Sequence, residues 1–298
     1  MVSVMTLSSG ANTSVVILGT TTLGIAAGLV GAFSVLRKRA LIGDALSHCA
    51  LPGVAIAFLL GVALGGDGKA FGLLLLGATV SGIAGVLTVQ FLTEYTRLPE
   101  DASIGAVLSV FFGIGVVLLS VIQSLETGSS GGLNHFIYGQ TAALRIRDAQ
   151  IILATASCSI ILSLLLLKEF RILCFDDVFA QAQGYSARAL DIVMMALIVG
   201  VTVIGLQSVG LILMVAFLVT PAVAARFWTD RFEIVVLLSG LFGGMSGYFG
   251  SVMSALFPQI PAGSVIVLVC GAIFFVSLLL APKRGLITRA ISRRGLVH

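Results

Sequence analysis

Asp44 and His48 lie four residues apart in RKRALIGDALSHCALPGVAIAFLL, residues 37–60, where a cationic cluster leads into a long apolar run. On a helix that spacing stacks both side chains on one face, along with Ser47 and Leu51, so the two can grip a single ion. Counted from Arg39 at ~1.5 Å of rise per residue, they sit roughly 8–14 Å inside a membrane if the helix stands upright. Inserting an aspartate at the centre of a membrane helix costs a few kcal/mol, and such groups face a bundle interior or an aqueous path. Carboxylate plus imidazole is half a site for a borderline divalent metal, because two ligands do not complete a shell. A structural explanation competes: Asp44 as N-cap of a helix beginning at Ala45, and His48 bonded to a nearby backbone carbonyl. Spacing alone leaves both open.

The elements that must position this pair are membrane spans. The 298-residue chain is 58% hydrophobic and 10% charged, against roughly 25% charged in soluble domains. Its mean hydropathy is +1.14. This composition defines an all-α, polytopic membrane protein, since a chain in lipid must satisfy its backbone within helices. The formal charge of +4 does not indicate nucleic acid, because the basic residues punctuate apolar spans and act as topology signals. Cys49, Cys158, Cys174 and Cys270 form no CxxC pair, which argues against a disulfide framework or a thiolate site. The N-terminus lacks a basic n-region and leads into a run too long for a signal-peptide core, so the first span is expected to remain. No GxxxxGK[ST] loop occurs, so nucleotide hydrolysis by this chain is not expected.

Hydropathy and punctuation predict about eight or nine crossings in one transmembrane domain, residues 1–298, with the N-terminus outside and the C-terminus cytoplasmic. The expected spans are 15–36, 41–64, 70–92, 100–122, 149–167, 192–206, 209–225, 233–256 and 264–280, followed by a basic cytoplasmic tail, 283–298. Gly24 and Gly28 form a small-xxx-small pair that predicts close helix packing. Residues 124–134 read as an exposed loop, and His135, with no acid or second histidine within a turn, as a loop side chain. Pro99, Glu100 and Asp101 suit ordinary helix initiation. Between about 171 and 190 the apolar pattern breaks into an amphipathic stretch, with Phe175, Val178, Phe179 and Ala182 at i, i+3, i+4 and i+7, ended by Gly184. Such a cytoplasmic helix docks into a partner's groove or rests on lipid. Gln207-Ser208 is the only interruption between the sixth and seventh spans, which reads as a tight hairpin or a broken helix.

Four blocks in order, RKRALIGDALSHCALPGVAIAFLL, PEDASIGAVLSVFFGIGV, FDDVFAQAQGYSARALD and VGLILMVAFLVTPAVAARF, resemble the permease subunit of bacterial binding-protein-dependent ABC transporters for manganese, zinc or iron. The resemblance covers about residues 36–280 and is most specific at LIGDALSH. It implies a multi-pass subunit of the bacterial plasma (inner) membrane that receives a divalent metal from an extracytoplasmic metal-binding protein. It further implies a cytoplasmic ATPase subunit as energy source and a second permease, identical or related, beside this one. By the same resemblance Asp44 and His48 match the family's intramembrane metal pair, and Glu100 and Asp101 an acidic pair near the pathway. Asp176, Asp177, Phe179, Ala180 and Gly184 fall in the segment expected to couple to the ATPase. The metal is cargo, with no tightly bound cofactor implied. Cys49 departs from the small residue common at that position. Mixed carboxylate and imidazole ligation suits Mn(II), Fe(II) and Zn(II) better than Mg(II), which prefers oxygen ligands and keeps its water. Two other classes fit less well: a proton-coupled secondary carrier or channel, which would need no ATPase, and a membrane metallohydrolase, for which no HExxH helix is present.

Overall fold

A chain dissolved in lipid keeps its backbone hydrogen bonds inside each segment, and the computed structural model shows only helices among the residues it describes: 11–66, 70–124, 146–257, 260 and 262–288. In order they are α1 (Ala11–Leu36), α2 (Ile42–Ala63), α3 (Phe71–Tyr95), α4 (Glu100–Ser124), α5 (Ile146–Leu165), α6 (Leu167–Phe175), α7 (Asp177–Ala182), α8 (Ala187–Val209), α9 (Leu211–Trp228), α10 (Phe232–Leu256) and α11 (Ala262–Leu280). Seven are long and apolar enough to cross a membrane alone, and α5 with α6, bent by 68° at their junction, makes an eighth if the two are counted as one span. The apolar part of α9, Leu213–Trp228, is shorter. The loop expected at 124–134 and His135 lie almost wholly or wholly outside the described residues, as do the last ten residues of the tail.

Small residues set how closely the two central helices approach. A Cβ on Gly24 or Gly243 would run into the other's backbone, one on Gly28 would meet the carbonyl of Ser239, and one on Gly247 that of Thr20. With no hydrophobic driving force between helices in lipid, such close backbone contact and the polar bonds it permits hold α1 to α10. Ser239 Oγ donates to the Gly28 carbonyl at 2.6 Å, and the hydroxyls of Thr20 and Ser251 meet at 2.7 Å. Phe33, at the foot of α1, is fully buried against Phe170 of α6 and Phe232 of α10, with ring centroids 4.9 and 6.0 Å away.

Three boundaries differ from the sequence-based expectation. The break between the sixth and seventh spans falls at Gly210, φ +89°, and not at Gln207-Ser208, whose backbone stays helical. Only glycine adopts that left-handed conformation at little cost, which is why the helix runs on to it. Next, α8 begins at Ala187, with Ser186 Oγ accepting from Ala189 N, so Asp191 lies inside a helix and not in the preceding segment. Finally, the amphipathic stretch is two helices: Asp176 Oδ1 accepts from Val178 N at 3.0 Å and Phe179 N at 2.9 Å, and this N-cap starts α7 anew.

One end of the bundle gathers the charge. Every lysine and arginine whose side chain is described lies at the end where α1, α3, α9 and α11 finish and α2, α4, α8 and α10 begin. There Lys283 and Arg284 clamp Asp230 at 3.1 and 2.7 Å, tying the segment after α11 to the α9–α10 loop. The hydrogen bond from Lys283 holds the Asp230 carboxyl below its usual range. The clamp is therefore intact above the ordinary carboxylate range and opens only as pH falls through the lowered value.

If the α1–α10 crossing carries the packing, Gly243→Val, which forces the backbones apart, should destabilise the full chain by about 1–3 kcal/mol. Gly271→Ala, where a Cβ meets nothing within 4 Å, should leave it unchanged or slightly raised. Melting of detergent-purified protein, followed by the monodisperse fraction after heating, distinguishes the two. Equal melting of both variants would remove the crossing from its central place.

Candidate metal centre

Asp44 is not the cap of its helix. Leu41 occupies that position without a side-chain bond, and Asp44 lies in the first turn of α2. Its Oδ1 stands 3.5 Å from His48 Nε2, beyond a good N–H···O hydrogen bond. That separation suits a shared ion: two ligands each ~2.1 Å from one metal at a tetrahedral angle are about 3.4 Å apart. The His48 side chain is 20% exposed and that of Asp44 38%, so the pair borders open space and is not sealed in the core. His48 Nδ1 is buried with no hydrogen-bond partner. The bond to a backbone carbonyl offered by the structural explanation is therefore not made. The outer hydrogen bond that usually fixes a ligating imidazole is missing too. The ring is held by packing, edge-on to Phe112 of α4 with centroids 4.8 Å apart.

The helix carrying the pair is wedged between its neighbours just above it. Pro52 has no N–H to give the carbonyl four residues back, that of His48. Next to this gap Ser81 Oγ of α3 donates to the Cys49 carbonyl at 2.6 Å. Gly53 crosses Gly77 of α3, and Gly115 of α4 rests on Leu51 and Pro52, each too close for a Cβ. Cys49 faces away from the pair, against Gly85, where it lines a separate cavity of about 580 Å³ between α2, α3 and α8.

Below the pair, the turn between α1 and α2 is pinned by ion pairs. Lys38 takes φ +62°. Arg39 N bonds Ser34 O at 2.8 Å, and Ser34 Oγ donates to the Arg39 carbonyl at 2.7 Å. This left-handed helix ending costs a non-glycine residue about 1 kcal/mol, and it brings Arg37 and Arg39 together on one acid. Arg37 Nη1 donates to Asp191 Oδ1 at 2.8 Å, and Arg39 Nη1 bonds both Asp191 oxygens at 3.1 and 3.2 Å. Arg39 Nε reaches Glu100 Oε1 of α4 at 2.5 Å, and Gln90 Nε2 of α3 approaches Asp191 Oδ2 at 3.5 Å. Four helices thus meet at the foot of α2.

Of the sequence-predicted residues, then, Asp44 and His48 are brought together. Glu100 is brought to Arg39 and not to them, and Asp101 is exposed at the start of α4. No third histidine, cysteine, aspartate or glutamate joins the pair among the described residues. Asp176 is the N-cap of α7, Ala180 is fully buried, and Gly184 ends the segment at φ +86°. Phe179 is exposed, as are Phe175 and Val178, while the Asp177 side chain lies outside the described set. Asp191 and Gln90 were not legible as site residues. Their only signal was a polar group at a span end facing the RKR cluster from far away in sequence.

A bundle of lipid-length helices carrying an acid–imidazole pair inside it, with its described cations gathered at one end, is a polytopic helical membrane protein. The chain belongs to the ABC 3 transport family, whose model matches residues 11–281, and is thus the membrane-spanning permease subunit of an ABC transporter. It is 44% identical over 279 residues to the zinc transport system membrane protein TroC of Treponema pallidum, covering 94% of this chain and 92% of that one. It is 41% identical over 280 residues to the manganese transport system membrane protein MntC of Bacillus subtilis, covering 94% of this chain and 63% of that longer protein. Among solved structures, PsaBC from Streptococcus pneumoniae in complex with Fab superposes with a TM-score of 0.80 at 30% identity, over 99% of this chain and all of that one.

The network makes a stability prediction. Asp191→Asn leaves Arg37 and Arg39, whose side chains are 10% and 17% exposed, without their shared carboxylate, a loss on the order of 2 kcal/mol. Arg188→Gln breaks only the exposed 3.7 Å contact with Glu94 and should cost at most a few tenths. Thermal melting of both variants checks this, and an Asp191→Asn protein as stable as Arg188→Gln would dissolve the claim.

Proposed function

We propose that this permease passes a first-row divalent metal, manganese or zinc, inward across the bacterial plasma membrane, and that Asp44 and His48 hold the ion together on the way. The observation that carries this is the 3.5 Å gap between a carboxylate and an imidazole nitrogen on one turn of an apolar helix. The relatives, named for manganese and zinc transport, support the same cargo, and Fe(II) has compatible ligand chemistry.

The site fits transit better than storage. With two ligands from α2, an unbonded Nδ1 and no third side chain among the described residues, water or a second permease's residues complete the shell, and the ion leaves without dismantling a closed cage. Protons compete with the metal for both groups, so uptake falls on acidification. Glu100 and Asp101 act in this account near the exit: Glu100 holds Arg39 at the foot of the metal-bearing helix, and Asp101 adds negative charge beside it.

The charge-rich end faces the cytoplasm by the positive-inside tendency, which puts the N-terminus outside and the C-terminus within. On that side α7 offers Val178 and Phe179, 76% and 50% exposed, with Phe175 beside them. Uncovered apolar side chains on a short, capped cytoplasmic helix suit insertion into a groove of a separate ATPase subunit. An extracytoplasmic metal-binding protein delivers the ion at the other end, and a second permease, identical or related, completes the pathway.

Initial uptake of Mn(II) and Zn(II) into vesicles holding the permease, its ATPase and the binding protein tests the shared ion. Asp44→Asn and His48→Gln should each abolish most uptake at matched permease levels, and the double variant should match the worse single, because one ion is lost only once. Near-normal rates in both singles would remove the site. Two moderate losses that multiply in the double would mean two separate roles.

A further inference from the structure

On the outer surface of the bundle, α1, α5 and α10 leave an elongated groove of about 480 Å³. Its floor is Ile25 and Leu29, which lie over Gly244 and Gly240, and its walls are Ile160 and Leu164 on one side and Leu241 on the other, an almost wholly apolar lining. From Leu237 to Phe249 it runs about 18 Å along α10, just over half of the ~30 Å hydrocarbon core. That is the reach of one leaflet. The groove ends at the charged end of the bundle. One turn before Leu237, Glu233 takes Arg171 Nη1 of α6 at 2.6 Å, and Lys168, just past the bend that follows Leu164, is exposed one turn before Arg171 on α6. Lys168, Arg171 and Arg231 against Glu169 and Glu233 leave one net positive charge there.

We propose that this groove binds an anionic phospholipid, one acyl chain lying along Ile25 and Leu29 and the phosphate meeting Lys168 and the donors of Arg171 not used by Glu233. An apolar slot that closes on cations matches an amphiphile end to end. A second permease is a poorer occupant, because the spans with the smallest buried share, α3, α4 and α11, contribute nothing to the lining of this slot. The lipid would brace α5 against α1 and α10 just above the 68° bend into α6. The proposal rests on the membrane setting of the family and not on the metal pair.

Native mass spectrometry of the full-length permease with its ATPase, titrated with phosphatidylglycerol or with phosphatidylcholine of the same chains, tests it. The first phosphatidylglycerol should bind about fivefold more tightly than phosphatidylcholine, and Lys168→Gln should remove most of that preference while leaving chain binding. Leu164→Trp, which fills the slot, should weaken both lipids, with Ile160→Phe as the milder filling variant if the tryptophan protein is not monodisperse. Equal binding of the two lipids to the wild type, or undiminished binding by the filled variant, overturns the proposal. So does efficient disulfide cross-linking between copies carrying Leu241→Cys in a cysteine-free background, which would show a protein surface on the groove.

Discussion

Asp191 accepts from Arg37 and Arg39 at once, and Arg39 reaches on to Glu100. On these bonds depends the placement of the helix that matters most. An ion pair on an open surface contributes little, but here the arginines are mostly shielded, and removing Asp191 takes away the carboxylate that separates two like charges. The strained ending at Lys38 gains its return in the same contact, since it turns both arginines toward one acid. The foot of α2 is thereby fixed to α4 and α8, and its first turn, bearing Asp44, cannot swing without breaking charged bonds to both.

Above this anchor the holding force changes in kind. Glycines on α2, α3 and α4 let three backbones touch around Pro52, directly over His48, while the broader α1–α10 crossing uses Gly24, Gly28, Gly243 and Gly247 in the same way. The Asp44–His48 pair thus sits between a charged clamp at the membrane edge and a close-packed wedge deeper in. Its own surroundings are looser, with one open ring nitrogen and a partly exposed carboxylate. Rigid support around two open polar groups suits the proposed transit of an ion, since such a site would have to recognise the metal and still let it go.

Much of this was legible in the sequence, for reasons that particular residues make plain. Lipid forces helices, so hydropathy located the spans, and the i, i+4 period put Asp44 and His48 on one face. The Asp191 contact was not legible because its partners lie more than 150 residues away and the RKR run serves equally well as a topology signal. Glu100 looked like an initiating acid, and it does begin a helix, yet its carboxylate is taken by Arg39. Gln207 and Ser208 are polar and suggested a break that backbone geometry placed at Gly210. The periodic run from Phe175 to Ala182 suggested one amphipathic helix, but the Asp176 cap divides it and leaves Val178 and Phe179 uncovered.

The central claim is that one ion is shared by Asp44 and His48, and the nitrogen ligand is its most direct signature. Mn(II) bound to the purified permease in complex with its ATPase can be examined by electron spin-echo spectroscopy, which detects a directly coordinated ¹⁴N. The account predicts coupling to one imidazole nitrogen in the wild type, its loss in His48→Gln, and weaker Mn(II) binding in Asp44→Asn. Manganese bound without nitrogen coupling, or coupling that persists in His48→Gln, would contradict it.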